Sequence, residues 1–232
     1  MTTASPPTAP VPAFPEPAPA PKAKPLLRGW SHLLGFVAML VAGPLLISRA
    51  PDAGATAALI VYVLSVLALF GVSAAFHLVH WSPEARRWMR RADHSTIFLA
   101  IAGSYTAVAV LALSGWSRIL ILCLVWVGAV AGFTLRQVWL DAPKWAVAVP
   151  YVVVGWAALA VLPQLFRALG GAGFGLLVAG GACYTLGAVV YAFRKPDPVP
   201  NVFGYHEVFH ACTIVGAVLH FVVIAGYALP RT

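Results

Sequence analysis

Residues 56–80 read TAALIVYVLSVLALFGVSAAFHLVH and contain no lysine, arginine, aspartate or glutamate. About 20 apolar residues are enough for a helix to cross a hydrocarbon core about 30 Å thick. Inside lipid, the backbone polar groups of such a segment must be satisfied within the segment itself, as they are in a helix. The stretch therefore predicts a transmembrane helix.

Six more apolar stretches of similar length predict an all-α bundle of seven transmembrane helices. Glycine and proline inside them, as at Gly43 and Pro44, are tolerated in membrane helices. The division between the fourth and fifth stretches falls around Pro143 and Pro150. The seven predicted helices cover residues 30–48, 56–80, 95–114, 118–138, 145–163, 173–193 and 204–228.

The composition of the whole chain agrees with a lipid environment. Of the 232 residues, 61% are hydrophobic and 9% are charged, whereas soluble domains average about 45–50% apolar and 25% charged residues. This balance excludes an ordinary cytosolic enzyme, a disordered chain and a disulfide-stabilised secreted domain. Cys123, Cys183 and Cys212 each lie in an apolar stretch without CxxC spacing, which predicts small core residues and no disulfide.

Residues 1–25 are a different kind of segment, because they contain nine of the nineteen prolines. This composition predicts an extended, disordered tail. The tail lacks the apolar core of a signal peptide, so no cleavage is expected. Residues 26–232 are predicted to form a single membrane domain.

The distribution of lysine and arginine predicts the orientation of the chain. The net charge is +8, but the basic residues form short clusters and no continuous basic face, so no nucleic-acid partner is predicted. Basic residues stay cytoplasmic, which predicts a plasma-membrane protein with its N-terminus inside and its C-terminus outside. One predicted side carries eleven of the fifteen basic residues: Lys22, Lys24, Arg28, Arg86, Arg87, Arg90, Arg91, Arg136, Lys144, Arg194 and Lys195.

Three of the predicted helices carry polar groups at the same cytoplasmic level. Ser73 and His77 are four residues apart and therefore share one face of the second helix, and His206 and His210 share one face of the seventh. Asp93 is placed at the start of the third helix. Three imidazoles leave one tetrahedral position open, as in a catalytic zinc site. The sequence predicts a metal centre with Zn²⁺ favoured, and Fe²⁺ and Co²⁺ are compatible with the same ligands.

The simpler alternative is that these histidines are interhelical hydrogen-bond partners. His32 is placed near the site, whereas His80 and His94 are predicted at the membrane interface. His220 lies fourteen residues after His206, about 21 Å along a helix, and is predicted to bond to a neighbouring helix.

Glu207 completes an HExxH string, the motif in which glutamate is the general base of a zinc protease. No later helix follows to supply the third ligand of such a protease. Glu207 is therefore predicted to be an interfacial or helix-start carboxylate.

The segments WSHLLGFVAML, SAAFHLVHW, ADHSTIFLAIAGSYT and YHEVFHACTIVGAVLHF occur in this order. They resemble the bacterial hemolysin III branch of the progestin and adipoQ receptor superfamily, which is related to the adiponectin receptors and, more distantly, to the alkaline ceramidases. The resemblance covers about residues 30–228. It implies seven helices, a cytoplasmic N-terminus and a zinc near the cytoplasmic face.

The family's metal ligands map onto His77, His206 and His210. Its aspartate near the metal's water maps onto Asp93, and its serine maps onto Ser73. Two departures lie away from these ligands. The segment before the first helix, KPLLRGWSH, lacks the glutamate and asparagine common in the family, and Ala107 stands where proline is frequent.

Three functions fit these features, and each has membrane lipid as substrate or ligand. The first is a metal-dependent hydrolase of lipid amides or esters, in which Asp93 orients water or moves its proton and Ser73 bonds the water or an oxyanion. The second is a non-enzymatic lipid sensor or receptor that serves membrane fluidity, with a metal site that only clamps helices. The third is a cytolytic pore, for which the helices offer little polar lining.

Overall fold

The computed structural model describes residues 25–199 and 201–229. Within these ranges the chain is helical, with no strand and one isolated β-bridge between Val199 and Phe203. The predicted disordered tail lies outside the described residues, apart from Pro25. The helices are α1 (Trp30–Ile47), α2 (Ala53–Leu78), α3 (Pro83–Ala112), α4 (Gly115–Val138), α5 (Lys144–Gly155), α6 (Leu162–Phe193) and α7 (Tyr205–Val223).

The described chain has six helical segments long and apolar enough to cross a membrane. Four are single helices, and a fifth is α7 with the π-helix Ile224–Ala228 that continues it. The sixth is the continuous segment Lys144–Phe193, in which α5 runs through the 3₁₀ turn Ala157–Val161 into α6. The predicted break between residues 163 and 173 contains an observed kink at Gly170, although α6 already begins at Leu162. Gly170 has a φ of 67°, which is accessible to glycine. Seven crossings and the orientation of the termini stay predictions.

The start of α3 also differs from the prediction. Ser82 caps the helix by accepting a hydrogen bond from the Ala85 amide at 3.3 Å, and Pro83 occupies the first turn. The helix therefore begins twelve residues before the predicted residue 95 and includes the basic segment. As a result, Asp93 lies about three turns inside α3 and not at its mouth.

The basic start of α3 is tied to the loop that follows α4. Arg90 donates to the Leu140 carbonyl at 2.9 Å and to the exposed carboxylate of Asp141. The hydrogen bond and the charge of Arg90 hold the pKa of Asp141 below its usual range. These bonds hold the start of α3 against the loop that follows α4.

The core lies where α2 and α3, the most enclosed helices, meet their neighbours. Leu59, Tyr62 and Phe98 are almost fully buried there. Gly132 of α4 lies against the Phe98 ring so closely that an added Cβ would overlap it. Glycine at this position therefore lets α4 approach α3.

The outer faces of the helices are apolar, as lipid contact requires. Leu34, Val127 and Val153 are more than 60% exposed. The three cysteines are unpaired, as predicted, but Cys123 is exposed on α4 and is not a core residue. A lipid-facing position tolerates a small apolar thiol as well as a core position does.

Candidate metal centre

The last turn of α2 and the first turns of α7 bring three histidines together. His77, His206 and His210 each offer one ring nitrogen, and the three nitrogens all lie within 4.8 Å of one another. The Nε2 atoms of His77 and His206 are 3.2 Å apart. In a tetrahedral zinc site with Zn–N distances of about 2.0–2.1 Å, nitrogens are about 3.4 Å apart. The predicted convergence of these imidazoles is therefore present.

The three rings pack as a cluster inside the protein. Their centroids are 4.6 Å apart for His206 and His210, 4.9 Å for His77 and His206, and 5.2 Å for His77 and His210. His77 and His210 are buried, and His206 is half-buried. Because bulk water is kept away from these rings, a bound ligand inside the protein is favoured as the partner of their nitrogens.

The start of α1 closes one side of this cluster. Gly29 has a φ of 91°, and a Cβ added there would lie 2.7 Å from the Cβ of His77. A left-handed glycine is therefore needed for the chain to pass the second helix and begin α1 at Trp30. One turn later, α1 places His32 against His210.

His32 is a fourth imidazole in contact with the cluster. Its ring stacks on that of His210, with centroids 3.9 Å apart and planes 10° apart. Both ring nitrogens of His32, and Nδ1 of His210, are buried and have no hydrogen-bond partner among the described residues. A buried nitrogen without a partner costs about 1–3 kcal/mol of folding free energy. These nitrogens therefore fit a site in which a bound ion or water is their partner.

Asp93 and Ser73 lie beside the histidines. Both are buried, Ser73 at 2% and Asp93 at 9% exposure. They line one cavity of about 30 Å³ together with His32, His206 and His210. This volume is large enough for a water molecule. The structure thus joins the two predicted catalytic candidates to two of the three predicted ligands.

Glu207 faces away from this cavity and has structural partners. Its carboxylate pairs with Arg28 and accepts a hydrogen bond from the Gly204 amide at 2.9 Å. This is a cap on the first turn of α7, which agrees with the predicted helix-start carboxylate. Arg28 belongs to the segment KPLLRGWSH, which lacks the glutamate and asparagine noted above.

His94 and His80 were both predicted to lie at the interface, but His94 lines a cavity inside the protein. His80 is exposed, whereas His94 lines the same cavity as Asp93. Nδ1 of His94 lies 2.7 Å from a guanidinium nitrogen of Arg136. Sequence reasoning missed this pair because it began the third helix at residue 95, which left His94 in a loop.

The sequence matches a family model described as "Haemolysin-III related" over residues 21–221. The chain belongs to the haemolysin III family. It is 29% identical over 203 residues to Hemolysin-3 of Bacillus cereus, covering 86% of this chain and 90% of that protein. It is 27% identical over 169 residues to a Hemolysin-3 homolog of Bacillus subtilis strain 168, covering 73% and 76%.

A second cavity in this haemolysin III protein adjoins the smaller one lined by Asp93 and the histidines. It measures about 130 Å³, and its walls are mainly apolar. The two cavities share the wall residues Leu69, Ile97, Tyr151, Ala188, Phe209 and Thr213. His220 lines the apolar cavity, with its Nε2 3.2 Å from the Leu177 carbonyl of α6. The predicted bond of His220 to a neighbouring helix is therefore confirmed.

Proposed function

We propose that this protein is a zinc-dependent hydrolase of lipid amide or ester bonds, embedded in the plasma membrane. One observation carries the proposal: His206 and His210, two of the three converging imidazoles, line a small cavity with the buried side chains of Asp93 and Ser73, and this cavity adjoins a larger apolar one. A polar reaction centre beside an apolar pocket suits a lipid, whose acyl chain and head differ in polarity.

The donor set supports zinc as the metal. His77, His206 and His210 would hold it as neutral nitrogen ligands, which suit this borderline ion. When bound, zinc supplies Lewis-acid activation of water and of a carbonyl group. The orphaned Nδ1 of His210 and the stacked His32 support a site whose polar atoms are completed by a non-protein ligand.

In this proposal, Asp93 and Ser73 are the residues that act on the proton of the attacking water. Asp93 lines the cavity with Ser73, and its carboxylate oxygens can accept hydrogen bonds from a water held there. Hydrolysis adds that water across the amide C–N or ester C–O bond. The hydroxyl goes to the acyl carbon and the proton to the leaving nitrogen or oxygen, with Asp93 as the group that carries it.

The charge distribution supports placing the site near the cytoplasmic face. Arg28, Arg90, Arg136 and Lys144 all belong to the side that carries most of the lysine and arginine. The segment Lys144–Phe193 would be about 75 Å long as one straight helix, more than twice the hydrocarbon thickness. Two crossings by this segment, and seven in total, fit that length.

A lipid sensor without turnover is the second candidate, and the size of the smaller cavity favours it. A volume of about 30 Å³ holds water but not a lipid amide or ester group. In a sensor, the metal clamps α2 to α7, and lipid in the apolar cavity alters that clamp. The cytolytic pore has no comparable support, because the apolar cavity lacks the polar lining that conduction needs.

The deciding experiment measures metal content and fatty-acid release on the same purified protein. Wild-type protein in lipid nanodiscs is expected to hold about one zinc per chain and to release fatty acid from a fluorescent N-acyl sphingosine or a long-chain ester. His210→Ala is expected to lose both properties, whereas the exposed His80→Ala control keeps both. Zinc-loaded wild-type protein that cleaves neither probe would contradict the hydrolase and favour the sensor.

A further inference from the structure

Arg136 is a buried guanidinium at the end of α4. It is 1% exposed and donates to the carbonyls of Trp139 and Leu140, both at 3.0 Å. Its third partner is Nδ1 of His94 at 2.7 Å. Within residues 25–199 and 201–229 it forms no ion pair with a carboxylate. The buried guanidinium of Arg136 is therefore hydrogen-bonded to a histidine as well as to two backbone carbonyls.

This contact fixes the tautomer of His94. A guanidinium has donors and no acceptor, so Nδ1 of His94 must accept and cannot carry a proton. The ring proton of the neutral imidazole then resides on Nε2. A carboxylate on Nδ1 would make a histidine a better base, whereas the cationic donor makes Nε2–H a stronger hydrogen-bond donor.

The position of His94 indicates what its Nε2–H can bind. His94 lines the smaller cavity with Asp93 and His206, and its carbonyl accepts a hydrogen bond from the Tyr151 hydroxyl at 2.9 Å. Its backbone and its Nδ1 are thus both held in place. No described residue hydrogen-bonds its Nε2.

We propose that His94 is a further ligand-binding and catalytic residue, whose Nε2–H donates to an oxygen of the lipid. Arg136 is its positioning residue. The inference rests on the proposed function, and it names the acceptor as the carbonyl oxygen of an amide or ester. That oxygen gains negative charge as its bond is attacked, and a fixed donor stabilises the developing charge.

A purely structural role for Arg136 is the competing explanation, because its bonds to Trp139 and Leu140 also cap α4. The ring of His94 distinguishes the two roles. Protein labelled with ¹⁵N-histidine in nanodiscs, with the His94 signals assigned by their loss in His94→Phe, reports which nitrogen carries the proton. We expect protonated Nε2 and unprotonated Nδ1. A proton on Nδ1 would overturn the proposal.

Variants of His94 test the function of the donor. His94→Phe keeps a ring without a donor, and His94→Gln places an amide N–H near the position of Nε2. With the fluorescent N-acyl sphingosine as probe, His94→Phe is expected to lower kcat about 10²–10³-fold. His94→Gln is expected to recover part of this loss, and all forms should keep wild-type zinc content. The matched control His80→Phe should leave kcat unchanged.

The two proposals fail separately. If zinc-loaded wild-type protein binds the probe but releases no fatty acid, the hydrolase is wrong, and probe binding then decides the role of His94. His94→Phe should weaken that binding about tenfold. If the wild type is active and His94→Phe has the same kcat, His94 is not a donor to the lipid. The same conclusion follows if the wild type is inactive and His94→Phe binds the probe as tightly as the wild type does.

Discussion

The imidazole of His32 lies flat on the imidazole of His210, with ring planes only 10° apart. Through this stack, α1 contacts His210 of α7 without a hydrogen bond. The contact joins the first and last helices of the chain at the candidate metal centre. Metal binding, the stability of the bundle and the position of α1 are therefore expected to change together.

Removal of the metal should loosen the bundle. An ion held by His77, His206 and His210 links α2 to α7 and binds the folded state only. A chelator is expected to lower the unfolding temperature of wild-type protein in nanodiscs. His77→Ala should unfold at the temperature of the chelated wild type and show no further response to chelator. A chelator effect that persists in His77→Ala would place the metal elsewhere.

Asp93→Asn should separate turnover from metal binding. The amide retains the size of the carboxylate but cannot take a proton, so fatty-acid release is expected to fall about 10²–10⁴-fold. Ser73→Ala, which removes the buried hydroxyl that lines the cavity with Asp93, should have a smaller effect of about 10–100-fold. Zinc content, measured on the same samples, should not change. Loss of zinc in Asp93→Asn would make Asp93 a ligand.

His32→Phe should stabilise the metal-free protein. Phenylalanine can stack on His210 and removes two buried nitrogens that lack partners among the described residues. The gain is expected to be about 1–3 kcal/mol, seen as a higher unfolding temperature in the presence of chelator. A lower unfolding temperature would mean that a nitrogen of His32 has a partner such as an ordered water.

Glu207→Gln tests the HExxH string directly. Glu207 is buried and paired with Arg28, and removal of one partner of such a pair costs about 3 kcal/mol. The variant is therefore expected to be less stable but to keep its zinc and its kcat. The double variant Arg28→Met with Glu207→Leu should recover stability. A folded, zinc-loaded Glu207→Gln that has lost turnover would instead make Glu207 a general base.

Gly132→Ala should destabilise the helix packing, because its Cβ would overlap the Phe98 ring. Overpacking of this kind costs about 1–3 kcal/mol. Gly175 of α6 is the matched control, since a Cβ there meets no atom within 4 Å. Gly175→Ala is expected to be neutral or slightly stabilising. Equal unfolding temperatures for the two variants would show that α3 and α4 can move apart without cost.

The sequence was sufficient for the elements and residues whose determinants are local. Apolar length predicted helices over most of the chain, and the four-residue spacings of Ser73 with His77 and of His206 with His210 predicted shared faces. These features depend on helix geometry alone. They led to the correct histidine cluster without any knowledge of the packing.

Errors arose where hydropathy and helix formation diverge. The basic start of α3 is polar but helical, because Ser82 and Pro83 provide the cap. Hydropathy therefore placed the helix start too late, and with it the surroundings of Asp93 and His94. The kink at Gly170 falls inside the predicted break between residues 163 and 173, but hydropathy made that break too wide, since α6 begins at Leu162. The Arg136–His94 contact joins residues 42 positions apart, and no local pattern predicts it.

The amides of Leu26 and Leu27 donate to the carbonyls of Asn201 and Val202, just before α7 begins. These bonds fasten the chain ahead of α1 to the loop that leads to His206. A recombinant version trimmed to the first residue of α1 would therefore lose an anchor of the histidine cluster. Affinity tags and fluorescent fusions are better attached upstream of Pro25, where this anchor stays intact.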